Sequence, residues 1–169
     1  FARMKGLGEP LERGIAVFNG ATEVFEPVAR FGPEELPWPC SHAFRHGEHV
    51  YFATPYPYVR VKADLGALRD PRAYEAFTCL EPGTRYRKGQ ARVERGPDGR
   101  PVWAWKRDTG PLGEKQEREL VAEKKFGPEE ARYRLADPAS GRRILAHNGS
   151  VAFNAFRGRW IMILGEEHG

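Results

Sequence analysis

Cysteine is scarce: two residues in 169, Cys40 and Cys79, in no C-x-x-C pair. That excludes a disulfide framework and a thiol-ligated zinc motif. Each reads as a small apolar core residue, with one bridge between them as the alternative. No apolar run approaches the roughly 20 residues of a membrane span. The sequence lacks a G-x-S-x-G elbow, a phosphate-cradling glycine loop and a Cys/His pair in nucleophile context. It also lacks a signal-peptide h-region at its start. Both ends read as cut rather than finished, which predicts a fragment.

Charge of one sign is not concentrated either. The net charge is +4, from 27 Lys and Arg against 23 Asp and Glu. Between 85 and 134, Arg92, Arg95, Arg100, Lys124 and Lys125 alternate with Glu94, Asp98, Glu117 and Glu123. Interleaved charge describes a solvated face, and no nucleic-acid partner is expected.

What the chain has is β-forming residues between turn signals. Fourteen prolines and 19 glycines cut it into short runs rich in Val, Ile, Phe, Tyr and Trp, the pattern of a sandwich, barrel or propeller. One kind of hairpin is expected at 15–18 turning through Asn19-Gly20 to 23–28. Asn-Gly between apolar runs is a strong hairpin signal. It recurs at 59–64 with 74–77, and more faintly at 133–136 with 142–145. A second kind is expected at 41–45 turning at His46-Gly47 to 49–54, at 91–95 with 101–106, and at 150–154 with 159–164. The first two of these start about 50 residues apart, and a helix-forming stretch at 114–125 accounts for the longer last interval. Its apolar side is thin, so it reads as a surface insertion.

Two alternating hairpins per repeat describe a four-stranded blade. The expected fold is all-β: a partial β-propeller of four-stranded antiparallel blades with a short helical insertion near 112–131. The expected units are a half blade at about 14–31, blades at about 41–80 and 91–145, and a half blade at about 149–165. A β-sandwich is the alternative.

The runs GIAVF at 14–18, HVYFATPYP at 49–57, AHNGSV at 146–151 and RGRWIMI at 157–163 resemble bacterial proteins related to the five-bladed-propeller glycoside hydrolases. The resemblance implies a glycan bound or hydrolysed at a central funnel, and an extracytoplasmic location. No Asp or Glu matches a catalytic position, so catalytic residues stay unassigned. A non-catalytic propeller serving as a binding module is the alternative.

Ligand-binding candidates follow from chemistry. His147, Asn148 and Ser150 form a polar cluster beside an apolar strand, with His42 at a strand start. Such side chains donate to and accept from sugar hydroxyls. Asn148-Gly149 as a plain turn is the competing reading. Aromatic rings match the C–H face of a sugar. Trp105 is a candidate on that ground, as are Tyr56 and Tyr58 in a Pro-rich loop expected to be exposed. Trp103, Phe52 and Trp160 are expected in the core. His42, His46 and His49 do not converge as metal ligands on a strand and turn. No metal and no cofactor are called for.

Overall fold

The computed structural model describes residues 1–6, 9–32, 39–53 and 55–167. Thr54, the end of one expected strand, and His168 and Gly169 lie outside the described residues. Strand accounts for 44% of the described residues and helix for 13%, so the all-β expectation holds. Among the described residues the strands form three antiparallel sheets, and none of them closes on itself.

The first sheet holds β1 (Ala2–Gly6), β2 (Glu9–Asn19) and β3 (Val24–Phe31). The β2–β3 hairpin is where the sequence places it, but its turn is not centred on Asn19-Gly20. Asn19 still pairs with Val24, and the loop is 20–23. The Asn19 side chain accepts the Ala21 N–H at 2.9 Å, and the positive φ falls on Glu23. An Asx turn thus replaces the two-residue turn.

The second sheet is a five-stranded meander: β4 (His42–His46), β5 (His49–Ala53), β6 (Pro57–Lys62), β7 (Glu75–Thr78) and β8 (Ala104–Lys106), paired in that order. His46 pairs with His49 across a two-residue turn, where Gly47 takes φ +56°. That left-handed backbone favours glycine. Between β6 and β7 run a short helix α1 (Leu65–Arg69) and a 3-10 turn. Asp64 caps the first through the Ala67 N–H, and Asp70 caps the second through the Arg72 N–H.

Side chains alternate across a strand. One face of the meander buries Val59, Val61, Ala76 and Thr78, and Ala29, Phe31 and Tyr74 join the same core. Phe31 meets Tyr74 edge-on at 5.4 Å.

Residues 91–145 differ from the second blade expected there. Apart from Ala104–Lys106, the segment pairs only through isolated bridges, Leu80–Val93, Arg95–Pro101 and Ala136–Arg143. Ala104–Lys106 joins the first meander instead of starting its own sheet. The segment folds over a second core of Cys79, Leu80, Ala91, Leu112, Leu120, Phe126 and Ala131, against which Trp103 packs.

The helix α2 (Glu114–Ala122) forms where expected, but it is not a surface insertion. Glu114, Glu117 and Leu120 are buried. The inward face is largely carboxylate, which is why an apolar-periodicity reading places it outside. Glu117 accepts the backbone N–H groups of Arg132 and, at 3.0 Å, Tyr133. Glu114 accepts the Ala146 N–H at 3.1 Å.

The third sheet is the β9 (Ala146–Asn154) and β10 (Arg159–Glu166) ribbon. A two-stranded ribbon is marginal alone. It is seated by Trp160 against Phe44 and by Gly149 against Pro55. Trp160, expected in the core, is 39% exposed. It packs against Phe44 and His46 of β4 and against Phe153 of the ribbon. Among the described residues no helix is long and apolar enough to cross a membrane.

Candidate functional site

The outer face of the meander carries a row built by strand register. Phe44 lies opposite Tyr51, Tyr51 opposite Arg60, and Arg60 opposite Glu75. Phe77 opposite Trp105 closes the row at β7 and β8. Residues directly opposite project from one face. Phe44 and Tyr51 stack nearly parallel, 9° apart with centroids at 5.4 Å. Tyr51 meets Trp105 edge-on at 5.6 Å, and Phe77 lies 5.3 Å from Trp105. From the ribbon, Trp160 leans on Phe44 at 4.8 Å and on His46 at 5.3 Å.

A charged pair is set among these rings. The Arg60 guanidinium lies 4.6 Å from the Trp105 ring centroid, and its Nε donates to Glu75 Oε2 at 2.7 Å. Each side chain is 21% exposed. The ring face attracts the cation, and the carboxylate fixes its orientation. The row therefore combines flat apolar rings with a planar donor and an acceptor, all partly exposed.

Beside it lies an open depression of about 590 Å³. His42, Asn148 and Ser150 line it together with Ser41 and the Ile163–Gly165 backbone region. Three of the sequence candidates, more than 100 residues apart in part, thus meet at one place. Asn148 is not in a turn: it sits within β9 opposite Gly165. His147 is exposed on β9 but does not line the depression.

Tyr56 and Tyr58 are elsewhere, and not exposed as expected. They cluster with buried Tyr133, whose ring lies 4.7 Å from Tyr56 and 5.6 Å from Tyr58. Burial pushes the Tyr56 hydroxyl up to about 12, with Glu114 adding to the shift. The Tyr58 and Tyr133 hydroxyls are raised by the same desolvation. Pro55 before them is fully buried, so the Pro-rich loop is drawn into the core. Trp103 and Phe52 pack against the two cores as expected.

Trp105 is the candidate that belongs to the row. Phe44, Tyr51 and Arg60 escaped selection by sequence. Their signal was present: aromatic and charged residues alternate with Val50, Phe52, Val59 and Val61 along β5 and β6. Among the described residues no group of three or more His, Cys, Asp and Glu could hold a metal ion. Cys40 and Cys79 are not bridged, and Cys79 is fully buried.

No protein-family model, curated protein or solved structure matches the chain.

Proposed function

We propose that this chain is a carbohydrate-binding module that lays a sugar on the outer face of the five-stranded sheet. The observation that carries this reading is the in-register row Phe44–Tyr51–Arg60–Glu75, ended by Trp105. Stacked rings present an apolar plane to the C–H face of a pyranose. Arg60 donates and Glu75 accepts, so both can bond the ring hydroxyls at the edge of that plane. The depression with His42, Asn148 and Ser150 supplies further polar groups close to β4.

Binding is favoured over hydrolysis. Glycoside hydrolysis uses two carboxyl groups flanking the scissile bond. The row carries one, Glu75, and Arg60 holds it. The buried carboxylates Glu114 and Glu117 are engaged with backbone N–H groups on the inner side of α2. The β4–β7 meander has the strand order of one propeller blade, which supports a partial propeller. Residues 91–145 do not add to that support.

The test is titration of the protein with neutral oligosaccharides, followed by calorimetry. Trp105→Ala and Tyr51→Ala are each expected to weaken the selected sugar by about tenfold or more, roughly 1.4 kcal/mol. Unchanged affinity in both variants removes the row as the site.

A further inference from the structure

A second site lies away from that row, where residues 100–103 face residues 129–134. They enclose a cleft of about 420 Å³. Three guanidinium-bearing residues line it, Arg100, Arg132 and Arg134, over a wall containing Trp103 and Pro101. Glu129 and Glu130 also line it, but both carboxylates are turned to Gly127. Glu130 Oε2 accepts the Gly127 N–H at 2.9 Å, and the Glu129 carboxylate occupies the space a Cβ on Gly127 would need.

The three arginines outnumber the two carboxylates that line the cleft with them. Arg134 donates to the Glu129 carbonyl at 3.2 Å, a neutral acceptor. Arg100 lies 3.9 Å from Asp98, with both side chains mostly exposed, a weak pairing. The Arg132 guanidinium has no carboxylate within ion-pair distance among the described residues. The cleft lining therefore carries a net positive charge, which favours an anion there.

The arginines are also held in place. Along 131–134 burial alternates: Ala131 and Tyr133 point inward, Arg132 and Arg134 outward. Glu117 grips the N–H groups of Arg132 and Tyr133. Arg143 donates to the Tyr133 carbonyl at 2.6 Å, and the Tyr133 hydroxyl donates to the Leu112 carbonyl at 2.8 Å. Three hydrogen bonds to the backbone and one from the Tyr133 hydroxyl fix this segment from inside, so the two exposed guanidiniums start from anchored Cα positions and only their side chains are ordered on binding.

We propose that this cleft is an oxyanion site, taking a sulfate or carboxylate group with Arg132 and Arg134 as its principal donors. Guanidinium forks match such groups through paired, charge-assisted hydrogen bonds. The cleft does not depend on the sugar reading of the aromatic row. A sulfated or acidic sugar is one source of the group, and a free inorganic anion is the other.

Calorimetric titration of the protein with inorganic sulfate, at low ionic strength with chloride as the reference anion, tests the site. The wild type is expected to bind sulfate more tightly than chloride. Arg132→Ala/Arg134→Ala is expected to weaken sulfate by about tenfold or more. Arg132→Lys/Arg134→Lys keeps the charge and should retain part of the affinity, while Arg159→Ala, outside the cleft, should leave it unchanged. No preference for sulfate over chloride, or an unaltered double-alanine variant with native circular dichroism, overturns the proposal. A sulfated oligosaccharide binding more tightly than sulfate assigns the group to a sugar; equal affinity assigns a free anion. A neutral sugar that fails to bind in the same series overturns the aromatic-row reading and leaves the cleft standing.

Discussion

Replacing Glu117 with alanine tests whether a buried carboxylate organises the second core. Glu117 is fully buried, and its two oxygens accept the N–H groups of Arg132 and Tyr133. Alanine leaves both donors buried without an acceptor. Each unsatisfied group costs about 1–3 kcal/mol. Relief from desolvating the charge offsets part of that sum. The expected net loss is about 3 kcal/mol. For a chain of this size that corresponds to a fall in Tm of about 6–12 °C. Thermal and urea unfolding followed by circular dichroism measure it. A loss below about 1 kcal/mol would refute the claim that these bonds hold 131–134 in place.

The same residue gives a pH signature. Burial raises its carboxyl above the usual 4.5, although the two N–H groups and Arg143 pull it down. The folded protein therefore keeps this proton to a higher pH than the unfolded chain does. As pH climbs from 4.5 through the folded pKa, the unfolded chain releases its proton first, and Glu117's contribution to stability falls. Glu117→Gln cannot titrate. The wild-type stability minus that of the glutamine variant should decline over this window, and a difference that rises with pH would show the sign to be wrong.

Three further outcomes are expected. Gly149→Ala places a Cβ on the Ile163 carbonyl oxygen and 3.0 Å from Pro55 Cβ. It should cost about 1–3 kcal/mol by forcing the ribbon off its seat, measured by urea unfolding. Cys79 should resist a thiol reagent at neutral pH in the folded protein and react once denaturant is added, because burial pushes its thiol up to about 12. Trp160→Ala should cost less than the 3–5 kcal/mol typical of a buried Trp, since Trp160 is 39% exposed; a full core penalty would place it in the interior.

Hairpins were legible in the sequence because their causes are local. Gly47 between His46 and His49, Gly158 before Arg159, and the Gly96–Gly99 turn are read from neighbouring residues, and all three form. Cys79 as a core residue was legible for the same reason as any small apolar residue. The aromatic row was only half legible. Alternation shows that Tyr51 and Arg60 leave the strand on the side opposite Val50 and Val59, but not that they face each other. Cross-strand register decides that, and register is a relation between strands.

The sequence by itself determined the β-rich class, the positions of most turns and the alternation of each strand. These depend on φ/ψ preference and side-chain pattern within a few residues. The tertiary structure alone decided where the carboxylates of α2 go, that 91–145 covers a core instead of forming its own sheet, and that His42 meets Asn148 and Ser150. Burial of Glu117 is tolerable only because N–H groups 15 and 16 residues away are delivered to it. No local preference encodes such a delivery, since a buried charge is bearable only when distant chain segments satisfy its hydrogen bonds.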